Sequence, residues 1–159
     1  MLRHRLSVRF ADCDPLGHVN NAAYLTYLEQ ARLHHWMALG LDVHWRAPGA
    51  PAFILARAEV DFESQATYGD ELEVRLAVAA VGRTSFTYAY EIVQVTTGAR
   101  VASARSVQVC YDYKAQRPTP IPKGLRQKLC GSLRAAPGSL ARPLRSPRRT
   151  RSSPDRRRR

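Results

Sequence analysis

Residues 8 to 32 read Val-Arg-Phe-Ala-Asp-Cys-Asp-Pro-Leu-Gly-His-Val-Asn-Asn-Ala-Ala-Tyr-Leu-Thr-Tyr-Leu-Glu-Gln-Ala-Arg. Two acids, Asp12 and Asp14, stand with His18, Asn20 and Asn21 just ahead of a run free of Gly and Pro. That run predicts a helix, whose first turn presents backbone N–H groups without intrahelical acceptors and the positive end of a dipole. A carboxylate placed before such a terminus has a chemical use. The N–H groups can hold a carbonyl oxygen and stabilise the oxyanion that forms when the carbon is attacked. The carboxylate can supply the attack, directly or by deprotonating water. Neither step needs a metal or a cofactor.

Asp14 is the candidate for that carboxylate, although Asp also caps turns well. Asp12 is expected to hold the loop. His18 suits a packing role as well as a catalytic one. Asn20 and Asn21 are cap residues first, and at Asn21 the backbone N–H rather than the side chain would act. Glu29 and Arg32 have the spacing of an i,i+3 ion pair, with Glu29 a lesser site candidate. Cys13 is incidental to carboxylate chemistry. His34, His35 and His44 do not share a face, so no metal site is expected.

The elements that position these groups follow from hydrophobic periods. Leu2, His4, Leu6, Val8 and Phe10 alternate with polar neighbours, as a half-buried strand does. A helix is predicted from Asn21 to Leu39, with Asn20 as its N-cap and Gly40 as its terminator. Tyr24, Leu28, Ala31 and Leu39 share one side, and Leu33 and Met37 make the far side partly apolar, a pattern of burial nearly all round. Four strands come next. Their alternating sets are Ile54, Ala56, Ala58, Val60, Phe62; then Leu72, Val74, Leu76, Val78; then Phe86, Tyr88, Tyr90, Ile92; then Val101, Ser103, Arg105, Val107, Val109, Tyr111. Short connections at Gly82-Arg83 and Thr97-Gly98 predict an antiparallel meander for the last three. A short helix is expected from Pro122 to Leu129.

Composition sets outer bounds. A chain of 159 residues that is 45% hydrophobic suits one globular domain. The net charge of +12 is concentrated at the end: ten arginines and one acid after residue 130 carry +9 of it. The remainder is ordinary for a domain. We therefore divide the chain into a folded domain, 1–130, and an Arg/Pro/Ser-rich tail, 131–159, expected to be disordered and at most a weak binder of nucleic acid. No apolar run approaches a membrane span, so no membrane association is expected. The N-terminus lacks a secretory pattern, and three widely spaced cysteines suggest a reducing, cytoplasmic setting.

The stretch Asp12-Cys13-Asp14-Pro15 and Gly17-His18-Val19-Asn20-Asn21, followed by Tyr24, Glu29 and Arg32, resembles the signature of the 4-hydroxybenzoyl-CoA thioesterase family and its acyl-CoA thioesterase relatives. Val60-Asp61-Phe62, Gly69-Asp70 and the hairpin Gly82-Arg83-Thr84-Ser85 resemble later family features. The resemblance runs from about residue 3 to residue 130. It implies an α+β hotdog fold, in which a five-stranded antiparallel sheet wraps one long central helix. It implies hydrolysis of an acyl-CoA thioester by a homodimer or homotetramer whose site lies at the subunit interface. By position, the reactive carboxylate falls on Asp14 and the carbonyl-polarising N–H on Asn21, with His18 as a catalytic partner. Gly17, Asn20 and Tyr24 then fall in the substrate-binding segment. Arg83, Thr84 and Ser85 are expected to receive the coenzyme A phosphates, with Arg57, Arg105 and Lys114 as alternatives. The Gly-His-Val-Asn-Asn segment looks more like long-chain acyl-CoA and plant acyl-carrier-protein thioesterases, although Leu16 stands where the latter carry Asn. An acyl-carrier-protein thioesterase and a non-catalytic acyl-CoA-binding protein are the alternative readings.

Overall fold

Alternation of apolar and polar residues along five segments produces one antiparallel sheet, and the Gly- and Pro-free run between the first two of them produces the helix that the sheet covers. The computed structural model describes residues 1–41 and 52–133. In chain order these form β1 (Leu2–Ser7), α1 (Asn21–Ala38), β2 (Phe53–Phe62), β3 (Glu71–Val81), β4 (Ser85–Gln94), β5 (Arg100–Asp112), β6 (Arg117–Pro118) and α2 (Lys123–Gly131). A short 3-10 turn, Phe10–Asp12, follows β1. The sheet order is β1-β3-β4-β5-β2, with the two-residue β6 added beside β5. One long helix against such a sheet is the expected hotdog arrangement, and α2 lies where a short helix was anticipated.

The core lies between α1 and the sheet. Helix residues Tyr24, Tyr27, Leu28, Ala31, Arg32 and His35 are buried, a stripe at the i, i+3, i+4 spacing of one helical face. The sheet answers with Leu72, Val74, Leu76 and Val78 of β3 and Phe86, Tyr88, Tyr90 and Ile92 of β4, all essentially inaccessible. Fully burying a side chain of this size contributes about 1.5–3 kcal/mol.

Four details differ from the sequence reading. The first strand ends at Ser7, and Phe10 is turned out to solvent at 80% exposure. The far side of α1 is not buried in the single chain: Leu25, Leu33 and Met37 are exposed, because the sheet covers one side only. In β2 a bulge between Leu55 and Arg57 breaks the alternation. The helix-facing set thus becomes Phe53, Leu55, Ala58, Val60 and Phe62 rather than Ile54, Ala56, Ala58, Val60 and Phe62. In β5 the helix-facing set is the small and polar one, Ala102, Ala104, Ser106, Gln108 and Cys110, while Arg105, Val107 and Val109 point to the outer face. The bulky aromatics of β4 fill the core beside β5, which leaves room there only for small side chains.

Gly131 completes α2 and Leu133 pairs with Val78 in a parallel bridge. The rest of the expected tail, and His44, lie outside the described residues. Among the described residues no helix is long and apolar enough to cross a membrane.

Candidate active site

The loop between β1 and α1 is held from beneath by Asp12. One of its carboxylate oxygens accepts from Arg9 Nη2 at 2.7 Å, and the other accepts from the Arg9 backbone N–H at 3.0 Å and from Nε at 3.1 Å. The Arg9 guanidinium holds the Asp12 carboxyl below the usual carboxylate range. Burial, with the Asp12 charge adding to it, pushes the Tyr27 phenol up. The Asp12 carbonyl accepts from the Asn20 N–H at 2.8 Å. Asp12 therefore ties β1 to the start of α1, the holding role expected of it.

Above this clamp the chain makes a tight hairpin. Cys13 pairs with Val19, and His18 pairs with Thr67 of the β2–β3 connection. The Asp14 N–H donates to the His18 carbonyl and the Gly17 N–H to the Asp14 carbonyl, each at 3.0 Å. Gly17 has φ 85°, a left-handed value that closes the turn and that other residues adopt only with strain. Asp14 Oδ1 accepts from the Leu16 N–H at 2.9 Å, which fixes the carboxylate's orientation. His18 Nδ1 lies 3.8 Å from that oxygen, adjacent but beyond hydrogen-bond distance. The two side chains are 21% and 29% exposed, partly shielded yet reachable.

The N-terminus of α1 completes the arrangement. Asn20 caps it: the side chain accepts from the Ala22 N–H and the carbonyl from the Ala23 N–H, both at 2.9 Å. Among the described residues this leaves the Asn21 N–H with no acceptor, at the positive end of an 18-residue helix. A cavity of about 240 Å³ opens here, lined by His18, Asn21 and Tyr24 on one side and by Phe62, Ser64 and Gln65 on the other. Tyr24 is 3% exposed and packs on Phe62 with ring centroids 5.1 Å apart. Replacing Asn20 by Ala should destabilise the fold by about 1 kcal/mol through loss of the cap. A lowered urea midpoint checks this, and an unchanged midpoint would contradict the cap's role.

The structure thus brings together Asp14, Gly17, His18, Asn20, Asn21 and Tyr24. It does not bring Arg83, Thr84 and Ser85 to them. Those residues sit at the β3–β4 hairpin, whereas the Asp14 loop adjoins the other end of β3, where the Val8 N–H donates to the Asp70 carbonyl at 2.8 Å. The intervening strand has 11 residues, a length of about 35 Å. Arg57 and Arg105 lie on the sheet's outer face, where Arg57 pairs with Glu59, and Lys114 lies beyond β5. Glu29 Oε1 stands 3.9 Å from Arg32 Nη2, the outer limit of the expected ion pair. Sequence reasoning missed the second wall of the cavity, Phe62 to Gln65. Its signal was the polar run Glu63-Ser64-Gln65 directly after the strand end at Phe62.

Comparison with known proteins agrees with this geometry. A family model described as the Thioesterase-like superfamily matches residues 8–129. A 1,4-dihydroxy-2-naphthoyl-CoA hydrolase of Synechococcus elongatus is 27% identical over 124 residues, 77% of this chain and 90% of the relative. The long-chain acyl-CoA thioesterase FadM of Escherichia coli is 28% identical over 130 residues, 80% of this chain and 96% of the relative. Among solved structures, a Thermus thermophilus thioesterase complexed with coenzyme A and zinc superposes with a TM-score of 0.70 at 34% identity, covering 81% of this chain and 91% of that one. With its fold, its loop and most of its length matched in this way, the chain belongs to the Thioesterase-like superfamily of hotdog proteins.

Proposed function

We propose that this protein hydrolyses acyl-CoA thioesters to the free acid and coenzyme A. The observation that carries the reading is the Asn21 N–H, left without an acceptor by the Asn20 cap and set beside the Asp14 hairpin at a cavity. A thioester carbonyl oxygen seated on that N–H receives the helix dipole as its negative charge develops. Asp14 then acts in one of two ways. Its carboxylate attacks the carbonyl carbon to give an anhydride that water cleaves, or it takes a proton from water that attacks in its place. In both, the C–S bond breaks and the departing sulfur gains a proton. His18, beside Asp14 and on the cavity wall, is placed to deliver it. The test is thiol release from short, long and aromatic acyl-CoAs. Turnover of one acyl class with kcat/KM on the order of 10⁴ M⁻¹s⁻¹ or more is expected, and no release from any ester would overturn the reading.

The site is completed by a second copy of the chain. β2 ends the sheet, and its far edge meets no strand among the described residues. Leu55 and Phe62 on it are 47% and 48% exposed, and an apolar open edge invites pairing. Two β2 strands joined antiparallel would place the Phe53 end of one copy against the Phe62 end of the other. The hairpin carrying Arg83, Thr84 and Ser85 in one copy then approaches the cavity of the other, where it can receive coenzyme A phosphates. Light scattering should give at least twice the chain mass, and a monomeric active enzyme would exclude this arrangement. The three cysteines are free thiols, which suits a reducing cytoplasm.

A further inference from the structure

α1 lies closest to β1 and β3, and side chains span the wider gap towards β2. Tyr24 meets Phe62 near one end of that gap, and Trp36 meets Phe53, with centroids 4.9 Å apart, near the other. The sheet beneath is lined by small residues, Ala102, Ala104 and Ser106 of β5 beside Ala58 of β2. The candidate active site occupies the Tyr24 end. At the Trp36 end a second cavity, of about 90 Å³, is lined by Glu29, Arg32, Trp36, Phe53, Leu55 and Gln108. Along the helix, Arg32 is about 16 Å beyond Asn21.

The second cavity sets apolar walls, Leu33, Trp36, Phe53 and Leu55, against polar groups whose depth of burial is unusual. Arg32 is 6% exposed and Gln108 is 2% exposed. A buried guanidinium is ordinarily met by a carboxylate at close range. Here Nη2 is 3.9 Å from the solvent-exposed Glu29 and Nη1 is 3.4 Å from the Tyr90 hydroxyl, both long contacts. Gln108 donates to Ser106 Oγ at 3.1 Å, which leaves its carboxamide with capacity to spare.

We propose that the acyl group of the substrate lies along this gap and ends in a hydroxyl group held by Arg32 and Gln108. The substrates are then long acyl thioesters hydroxylated at the far end, an inference that rests on the thioesterase reading above. The hydroxyl oxygen accepts from the guanidinium, and its O–H donates a hydrogen bond to the Gln108 side-chain carbonyl or to the Glu29 carboxylate. A methyl end would leave these groups desolvated and unmatched, and a carboxylate end would face the charge of Glu29.

Binding of non-hydrolysable acyl-CoA thioethers of about 16 Å extended acyl length tests this independently of turnover. The analogue ending in a hydroxyl is expected to bind wild type at least about tenfold more tightly than the one ending in a methyl. Gln108→Leu and Arg32→Met should erase that preference. If Arg32→Met fails to fold, Gln108→Leu, which keeps shape and apolar packing, decides alone. Equal binding of the two analogues by wild type, or a preference that survives Gln108→Leu, overturns the inference. Thiol release from a short acyl-CoA by the same preparation reports separately on the thioesterase reading, because a short acyl group does not reach Arg32.

Discussion

Asp14→Asn should lower kcat for thioester hydrolysis by about 10²–10⁴-fold while leaving the fold and KM close to those of wild type. The substitution keeps the shape of the side chain, and its Oδ1 still accepts from the Leu16 N–H that orients Asp14 at 2.9 Å. The hairpin survives because its hydrogen bonds run between main-chain groups of Asp14, Gly17 and His18, and because Asp12 and Arg9 anchor it from below. Only the negative charge is lost, and with it both the nucleophile and the base. Direct attack and base catalysis therefore predict the same loss. His18→Gln is the informative partner: if His18 only delivers a proton to the departing sulfur, its removal costs less than that of Asp14. Activity within a few-fold of wild type in Asp14→Asn, at an unchanged circular dichroism spectrum, would remove Asp14 from the reaction.

Why the sequence points to this candidate site can be traced to particular residues. The Asp14–Asn21 segment is local: a turn glycine, a cap and a helix start lie within a few positions, so each leaves its signature in order along the chain. Periodicity likewise places β3 and β4, whose apolar faces are regular. It misleads where a face is chosen by tertiary packing. In β5 Val107 and Val109 alternate cleanly but point outward, because Phe86, Tyr88 and Tyr90 of β4 already fill the space on the helix side. In β2 the bulge after Leu55 turns Phe53 and Leu55, in place of Ile54 and Ala56, towards the helix, and no Gly or Pro marks it. The cavity wall from Phe62 to Gln65 and the cavity shared by Arg32 and Gln108 join segments far apart in sequence, and no local pattern reports such a meeting. The hairpin of Arg83 is a related case. Its residues suit phosphates, yet within one chain the length of β3 separates it from Asp14.

Polar contacts buried between α1 and β4 make the fold acid-sensitive. His35 is 7% exposed, and its Nδ1 lies 2.8 Å from the Tyr88 hydroxyl. Trp36 Nε1 donates to that hydroxyl oxygen at 3.1 Å, which leaves the Tyr88 O–H able to donate to the neutral imidazole at Nδ1. Burial, with the N-terminal amine adding to it, lowers the His35 pKa from 6.5 to about 4. In the unfolded chain the imidazole takes up a proton near pH 6.5, whereas in the folded chain it resists until about pH 4. Across that interval the unfolded state binds more protons, so the stabilisation present above pH 6.5 is lost progressively as the pH falls to about 4. The loss amounts to about 3 kcal/mol. Asp12 extends it to lower pH, since its Arg9-paired carboxyl stabilises the fold above the ordinary value of 3.8 and ceases to do so once it is protonated. His35→Gln retains an acceptor for Tyr88 and cannot titrate. Urea unfolding of wild type should weaken steeply between pH 6.5 and 4, and that of His35→Gln should change much less over the same range. Parallel pH dependences in the two proteins would mean that His35 is protonated equally easily folded and unfolded, contrary to the effect of its burial.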